Sequence, residues 1–463
     1  MGGGEMKAWG IILGGMLLLT LILPLPLGAA EYSLDDLFRI ALARSERIKS
    51  AEENLMIAEI GKQKAVSVLF PRLSAFGSYT RFSEDKYNDL NMLIQPESAG
   101  SWGLRADQSF SLGLREFTAL GMSKTNIAKY RMDLESVQEE YLLLVARAYY
   151  DVLRVGKQLD IAAANLKRLA DYRNAAEKRF KVGEATKTVL LRAEGELSGA
   201  RSDLVTAENS LKLVRALLAR LVGIEEECSL REAPPEEREI PSLAALKDTA
   251  FAERSDLKGL EYVKKMAAQQ RSYAWGAYWP SLSLSGVYAK ADQDPTSLTL
   301  NKESTYLNLA LNFPLFQGGF RKADVDEATA KERQAAFLYE DLKKTIGIEV
   351  ESAYLELSNA KEVIKFQEDQ LSFARENYRA VSRQFEVGLA NSIDVMDANT
   401  LLVSAQRRLA DAYYAYQISI LKVKRATGTL LKEIMATSTG SDASGEILPA
   451  RSALDIAGKE RGE

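Results

Sequence analysis

The chain contains one stretch twice, and this duplication restricts its possible folds more than any other feature of the sequence. Each copy begins at a Val-Gly pair, Val182-Gly183 in the first and Val387-Gly388 in the second, with a constant offset of 205 residues. After each pair, mostly apolar residues recur at steps that alternate between three and four, and we call each such row a seam. The seams are Leu190, Ala193, Leu197, Ala200, Leu204, Ala207, Leu211, Val214, Leu218 and Leu221, and then Val395, Ala398, Leu402, Ala405, Leu409, Ala412, Tyr416, Ser419, Val423 and Ala426. Only Ser419 is neither apolar nor aromatic, so both seams predict coiled-coil helix edges.

Proline positions show where these helices can run. In each repeat a long segment without proline surrounds the Val-Gly pair, and it predicts a long helix, a tight turn and a shorter returning helix. The long helices are predicted over 121–181 and 319–386, which span on the order of 90–100 Å. Glycine in the two tight turns is expected to adopt positive φ. The returning helices are expected to end in left-handed caps at Gly223 and Gly428.

Ahead of each long helix the sequence period changes from helical to alternating. Helices predicted over 45–70 and 243–279 stop at Pro71 and Pro280, and they could stack end to end with the returning helices. Beyond these prolines, apolar and polar residues alternate, as they do in strands with two different faces. The predicted strands lie near 72–82, 102–115, 281–288 and 306–315, with polar loops near 83–101 and 292–303. Two hairpins per chain are therefore expected.

The alternating strands fit two kinds of sheet. An apolar row opposite a polar row, about ten residues long, is typical of transmembrane barrel strands, and the same row could pack the core of a soluble sandwich. Four strands cannot close a barrel alone, because single-chain barrels begin at about eight. Either several chains contribute strands or the sheet is soluble, and the leader sequence described next favours the membrane.

Residues 1–30 have the pattern of a removable signal peptide. Lys7 precedes an apolar run that ends in small residues at Gly28 and Ala30, a pattern that favours cleavage before Glu31. After residue 30 no apolar run reaches the ~20 residues that a membrane helix needs. We therefore expect an exported chain that can cross a membrane only with strands.

The remaining boundaries follow from composition and the repeat. We expect a first repeat over 31–224, a linker over 225–242, a second repeat over 243–429 and a mobile tail over 430–463. The linker is acidic and contains prolines, and the tail is rich in Ser, Gly and charged residues, which favours mobility.

Composition excludes several classes of function. The chain has no histidine, a single cysteine and a net charge of -4. These counts leave no credible zinc site, no disulfide within the chain and no histidine-based triad. Cys228 is expected to be an inert thiol. Since phosphate-loop and dinucleotide motifs are also absent, we expect no enzyme activity, no cofactor, no bound metal and no nucleic-acid partner.

Several short motifs, in their order and duplication, resemble those of the TolC-like outer-membrane efflux protein family. The motifs lie at 148–150, 180–183, 315–319, 353–354 and 385–398, and read Ala-Tyr-Tyr, Phe-Lys-Val-Gly, Leu-Phe-Gln-Gly-Gly, Ala-Tyr, and Phe-Glu-Val-Gly followed by Leu-Ala-Asn-Ser-Ile-Asp-Val-Met-Asp-Ala. The resemblance covers about 34–430, which is nearly all of the chain after the leader.

The resemblance implies a fold and a function. The fold would be mainly α with a small β part. Three chains would form a hollow α-barrel of long coiled-coil helices in the periplasm and a twelve-stranded transmembrane β-barrel in outer-membrane lipid. The homotrimer would be a passive exit duct of a tripartite efflux or type I secretion system, gated at its periplasmic helical tip. Its partners would be a periplasmic adaptor protein and, directly or through the adaptor, an inner-membrane transporter.

The resemblance also implies two sites. Asp394 and Asp397 would line the narrowest point of the pore, and their spacing of three residues places both on one helix face. Spacing alone equally allows that both are helix-start residues beside a cap at Asn391 or Ser392. The adaptor contact would be formed by the helical tips, at Val182, Gly183, Val387, Gly388 and Leu389.

The sequence departs from the family where polar links can hold the tip closed. Phe385 lacks a hydroxyl, Ala390 lacks a charge and Val189 occupies a position where a carboxylate could be, so those particular links are not expected. Two other functions remain open from sequence, a periplasmic adaptor and a structural coiled-coil protein of the cell envelope. An adaptor usually has one helical hairpin between small β-domains, whereas this chain has two helical hairpins. The alternating strands argue against a purely structural coiled coil.

Overall fold

The computed structural model describes residues 31–225, 229–232, 241–294 and 302–441. The predicted leader over 1–30 and Cys228 lie outside the described residues. In chain order the first half contains β1 (Glu31–Tyr32), α1 (Leu34–Arg44), α2 (Glu46–Ser67), β2 (Arg72–Arg81), β3 (Lys86–Tyr87), β4 (Leu93–Gln95), β5 (Ser98–Ser111), α3 (Arg115–Lys181) and α4 (Lys187–Val222). The second half contains β6 (Ser229–Leu230), α5 (Leu243–Glu253), α6 (Ser255–Trp275), a 3-10 turn (Gly276–Tyr278), β7 (Ser281–Asp294), β8 (Glu303–Asn312), α7 (Phe320–Glu386), α8 (Ser392–Ala426) and α9 (Leu430–Ser441).

The two long helices dominate the fold. Both α3 and α7 contain 67 residues, which corresponds to about 100 Å. The predicted start of α3 at Gly121 is wrong, because this helix begins six residues earlier at Arg115. Gly121 lies inside the helix, where an added β-carbon would be 3.4 Å from the Gln269 side-chain nitrogen of α6. The glycine therefore permits close helix packing and does not mark a helix end.

The helices form one layer, and their packing order is similar toward the turns and toward the sheet. Toward the Val-Gly turns, the main contacts run α4–α3–α8–α7, and toward the sheet they run α2–α3–α6–α7. As expected, α2 and α4 share the length of α3, and α6 and α8 share the length of α7. One side of this layer ends in α7 and the other ends in α2 and α4. Among the described residues, none of the helices combines the length and the hydropathy needed to cross a membrane.

The helix predicted over 243–279 is interrupted. It ends at Glu253, and a new helix starts at Ser255, with Arg254 in an extended conformation between them. The guanidinium of Arg254 is only 3% exposed and forms ion pairs with Asp256 and Glu349. The break directs this buried arginine to the adjacent Asp256 and to Glu349 of α7. Helical periodicity does not reveal the second of these interactions, because it is long-range. The same break separates α1 from α2 at Ser45.

The four main strands form one antiparallel sheet in the order β2-β5-β7-β8. Its register joins the apolar rows of all strands on one face, since Phe110 lies opposite Leu282 and Leu282 opposite Leu311. Serines and charged residues occupy the other face, where the Ser78 and Ser101 hydroxyls are 2.8 Å apart. The two predicted β-hairpins, each with an apolar and a polar face, are thus confirmed. The predicted loop over 83–101 is shorter than expected, because it contains the small β3–β4 hairpin and the start of β5.

Part of the linker and the start of the tail pack against the rest of the chain. Within the linker, β6 pairs in parallel with β1 at the start of the first repeat. The prediction of a mobile tail from residue 430 is wrong for α9, because Leu430, Leu431 and Ile434 are buried in the main core beside α3. The rest of the predicted tail, 442–463, lies outside the described residues.

A buried carboxyl anchors α9. Glu139 of α3 is 6% exposed and accepts a hydrogen bond from the backbone N–H of Leu431 in the first turn of α9. Burial raises the pKa of Glu139 to about 7, and the nearby Arg425 and Arg254 guanidiniums oppose this increase while Asp256 adds to it. The C-terminal helix is therefore attached to the long helix through a group that titrates near neutral pH.

Candidate functional site at the helical tips

The two Val-Gly turns have the same geometry. Gly183 and Gly388 adopt φ angles of 80° and 81°, as predicted for these glycines. Each glycine N–H donates to a carbonyl three residues earlier, at 3.1 Å in the first turn and 3.2 Å in the second. The residue after each glycine donates to a carbonyl five residues earlier, at 2.8 Å in both turns. Positive φ lets the chain reverse within a few residues, and glycine adopts it without steric cost.

Each turn presents apolar side chains to solvent. Val182 and Val387 are 70% and 71% exposed, and Leu389 is 80% exposed. A β-carbon added at either glycine would meet no atom within 4 Å, so substitution there would change the backbone preference without causing a clash. Large apolar side chains exposed together at the end of a helical hairpin can bind a partner.

The second turn leads into α8 through a complete capping box. The Asn391 side-chain oxygen accepts hydrogen bonds from the N–H groups of Ile393, at 2.8 Å, and Asp394, at 3.1 Å. In return the Asp394 carboxylate accepts the Asn391 N–H at 2.9 Å. Because two otherwise unpaired donors are satisfied, Asp394 stabilises the start of this helix. This is the helix-start role that spacing alone had left open for the residue.

Asp397 has a different environment. It is exposed on the same side of α8 as Asp394, and no hydrogen bond or ion pair engages its carboxylate within the described part of the chain. Val395, Met396 and Ala398 point instead into the protein. The two predicted aspartates thus share an exposed face, but only Asp394 is committed to a helix cap.

Sequence reasoning missed a polar link between the two tips. The Arg179 guanidinium at the end of α3 donates to the carbonyls of Phe385, at 3.0 Å, and Glu386, at 2.9 Å, at the end of α7. Its central carbon also lies 4.7 Å from the centre of the Phe385 ring. The last carbonyls of a helix have no partner within that helix and carry partial negative charge. Arg179 therefore joins the two hairpins without a carboxylate or a tyrosine hydroxyl.

Apolar contacts join the same two hairpins behind the link. Leu169 of α3 and Leu197 of α4 pack with Val395 and Met396 of α8. The Tyr172 ring lies 5.4 Å from the ring of Phe385. These contacts add an apolar attachment between the two hairpins beside the Arg179 link.

A buried polar cluster lies farther from the tip. The Asn399 amide donates to the Asn165 side-chain oxygen at 2.9 Å, and the Arg168 guanidinium donates to Asn399 at 3.1 Å. Burial lowers the pKa of Arg168. Since buried polar groups are costly unless they are paired, this cluster fixes the register between α3 and α8. No periodic signal in the sequence distinguished these residues from surface polar groups.

The described residues contain no cluster of metal-ligating side chains. Groups of three or more His, Cys, Asp or Glu side chains that could hold a metal ion do not occur among them. The tip chemistry consists of exposed apolar side chains, two aspartates and hydrogen bonds between hairpins, which suits binding and ion attraction.

Comparison with known proteins identifies the family. Residues 37–224 and 246–429 match the family described as "Outer membrane efflux protein". The outer membrane protein TolC of Vibrio cholerae is 27% identical over 66% of this chain and 72% of its own length. The cation efflux system protein CusC of Escherichia coli O6:H1 is 25% identical over 76% and 80%, respectively.

Solved structures show the same architecture. The crystal structure of the outer membrane protein VceC from Vibrio cholerae superposes with a TM-score of 0.75, at 20% identity, and the alignment covers 85% of this chain and 96% of VceC. This likeness confirms the mainly helical fold with a small β part. With the family match over both halves, it leads to one conclusion: the chain is an outer-membrane protein that belongs to the outer membrane efflux protein family.

Proposed function

We propose that three copies of the chain form a continuous passive conduit, which is the exit duct of an efflux or type I secretion system. The observation that carries the proposal is that a single copy leaves both edges of its sheet and both outer sides of its helical layer without a packing partner. The proposal names the export role and not one exported substance, because the relatives include a cation efflux system protein and an alkaline protease secretion protein.

The sheet supplies the first part of the argument. Its outer strands β2 and β8 each contain ten residues, and neither has a strand partner on its outer side within the described residues. Open edges of this length are aggregation sites unless they are covered. On the apolar face Leu307, Leu309 and Leu311 are 64% to 73% exposed, so this face packs no core within one copy. Lipid around a closed twelve-stranded barrel of three copies would satisfy both the edges and the face.

The helices supply the second part. Large apolar side chains are exposed along α7, on one outer side of the layer, at spacings of seven and eleven residues that keep them on one face. They are Phe337, Ile348, Leu355, Phe366 and Phe373. On the opposite side, α4 exposes Leu191, Val205, Leu213 and Leu217. A ring of identical copies brings α7 of one copy against α4 and, nearer the sheet, α2 of the next copy, and this contact buries the exposed rows.

The tips supply the contacts with other proteins. We propose that Val182, Gly183, Val387, Gly388 and Leu389 form the surface that binds a periplasmic adaptor, through which the conduit meets an inner-membrane transporter. The exposed valines and leucine provide the apolar contact area. The two turns repeat the same backbone geometry, so each copy offers two similar docking points.

Asp394 and Asp397 are proposed to line the narrowest part of the conduit. Three copies would place six carboxylates near one level of the axis, and such rings attract cations and repel anions. Exposure of both residues on one helix face supports this role. Asp394 would combine it with its capping hydrogen bonds.

Recordings in planar lipid bilayers test the proposed function. The purified full-length protein should form long-lived conducting units whose current is carried mainly by cations. A preparation that is folded and membrane-inserted but never conducts would contradict the proposal. A periplasmic adaptor or a structural coiled-coil protein, the two alternatives, would form no such units.

A further inference from the structure

A groove lies where the sheet meets the helices, and the conduit function does not require it. It has a volume of about 870 Å³. Its walls include Arg271, Trp275, Tyr278, Trp279, Pro280 and Phe313. Four aromatic side chains and one arginine therefore surround a cavity large enough for a charged headgroup and part of an acyl chain.

The groove continues the apolar face of the sheet. Phe313 follows the end of β8 and lies two residues beyond Leu311, so alternation places both on the same face. The N–H of Leu112 donates to the Pro280 carbonyl at 2.9 Å, which extends the β5–β7 pairing to the rim of the groove. Most of the wall comes from the β5–α3 and α6–β7 connections in the middle of the sheet. These connections join the two central strands, away from the β2 and β8 edges where neighbouring copies would pair.

The aromatic side chains have the exposure expected at a membrane surface. Trp275 and Trp279 are 55% and 64% exposed, although tryptophan is usually well covered in folded proteins. Trp and Tyr accumulate at the headgroup level of membrane proteins because one end of each ring system is apolar and the other forms hydrogen bonds. These two residues mark the end of the sheet nearest the helices as a headgroup-level surface.

Positive charge concentrates at the same level. Arg271 lines the groove and forms an ion pair with Glu332 at 2.9 Å, with its side chain 45% exposed. The Arg115 guanidinium lies 4.1 Å from the Tyr273 ring centre, and its Nε is buried without a hydrogen-bond partner. The nearby Glu116 carboxylate accepts the Ser111 N–H. Arg321 adds a third guanidinium, 5.7 Å from the ring centre of Tyr278 in the groove wall. Three arginines therefore lie near two carboxylates, Glu116 and Glu332.

We propose that this groove binds an anionic phospholipid from the periplasmic leaflet of the outer membrane. Arg271 contacts the phosphate oxygens, the tryptophans flank the headgroup, and an acyl chain follows Phe313 onto the apolar face. The charge favours an anionic lipid over an uncharged one, and the continuity with the apolar face favours a lipid over a soluble anion. The inference rests on the proposed function, since it requires the sheet to cross the membrane.

Tryptophan fluorescence can test this site in the full-length protein. The described residues contain three tryptophans, and Trp102 lies on the apolar face, so a Trp102→Phe background isolates Trp275 and Trp279. Titrating phosphatidylglycerol with dibrominated acyl chains into detergent micelles should quench their emission with saturation. Arg271→Gln should raise the half-quenching concentration roughly fivefold, the loss expected for one basic residue at an anionic lipid surface. Arg333→Gln on the exposed side of α7 is the matched control and should change nothing.

The other outcomes separate the groove from the conduit. Equal half-quenching concentrations in Arg271→Gln, its control and the parent would overturn the headgroup site, even if the protein still conducts ions. Displacement of the brominated lipid by inorganic phosphate alone would also overturn it, because a soluble anion would then be the ligand. A second variant carries Trp275→Phe and Trp279→Phe and keeps Trp102, which lies on the apolar face outside the groove. The brominated lipid should still quench the emission of Trp102. Absence of that quenching would contradict the membrane placement itself.

Discussion

Arg179 should hold the tip closed, because it is the residue that ties the end of α3 to the end of α7. Arg179→Gln removes the fork that donates to Phe385 at 3.0 Å and Glu386 at 2.9 Å, together with the stacking on the Phe385 ring. A movement that separates the two hairpins at the tip, and so widens the proposed conduit, breaks both hydrogen bonds. We therefore expect the substitution to favour the open form.

The size of the effect follows from the half-buried position of Arg179. A hydrogen bond from a charged group contributes about 1.5–3 kcal/mol when it is buried, and partial exposure reduces this to about 1 kcal/mol for the pair. Cation–π stacking adds about 0.5–1 kcal/mol. The sum of about 2 kcal/mol per copy corresponds to roughly a 30-fold change in an opening equilibrium. If the three copies open together, the change is larger.

Single-channel recording measures this equilibrium directly. Arg179→Gln should spend far more time in high-conductance states than the parent, while Arg179→Lys, which keeps one charged donor group, should lie between them. Lys178→Gln is the matched control, since it removes a charge from the neighbouring exposed position. If Arg179→Gln and Lys178→Gln show the same low conductance as the parent, with trimers intact, the link does not hold the tip closed.

Three further predictions concern the tips and the C-terminal helix. Gly388→Val forces a β-branched residue into positive φ at a cost of about 1–2 kcal/mol, so adaptor binding in a pull-down should weaken while the trimer persists. Asp397→Ala should reduce cation selectivity without lowering thermal stability, whereas Asp394→Ala should also cost about 1 kcal/mol through the lost cap; unchanged selectivity in both variants would assign them to the helix start alone. Burial raises the pKa of Glu139 to about 7 from 4.5, so its contribution to stability is complete below pH 4.5 and is lost as the pH rises through 7. Glu139→Gln should flatten that pH dependence and raise the free energy of unfolding at pH 8 by at most roughly 3 kcal/mol, and an unchanged pH profile of thermal unfolding would contradict this.

Local patterns predicted much of this fold. The heptad seams and Val-Gly pairs located the hairpins and their turns, because helix packing and positive φ both impose short-range rules on the sequence. The alternation of apolar and polar residues located the two faces of the sheet, because the strand period is also a short-range rule on the sequence. The errors arose where a distant partner decides the local structure. Gly121 permits the approach of Gln269, and Arg254 breaks a helix to reach Glu349.

The candidate site was only partly predictable for a similar reason. Asp394 and Asp397 were found through a local motif. Arg179 was missed because basic residues are common in a last helical turn, and its partners are backbone carbonyls more than two hundred residues away. Backbone acceptors carry no residue identity, so no pairing of side-chain types in the sequence could point to this link.

The number of copies in the native assembly tests the central claim most directly. Native mass measurement of the detergent-solubilised full-length protein, with circular dichroism on the same sample, would give both the copy number and the strand content. We predict a single species of three copies, because a closed ring gives partners to the β2 and β8 edges and to the exposed rows of α4 and α7, and three copies supply the twelve strands that the family resemblance implies. A stable monomer or dimer that keeps its strands would contradict the account.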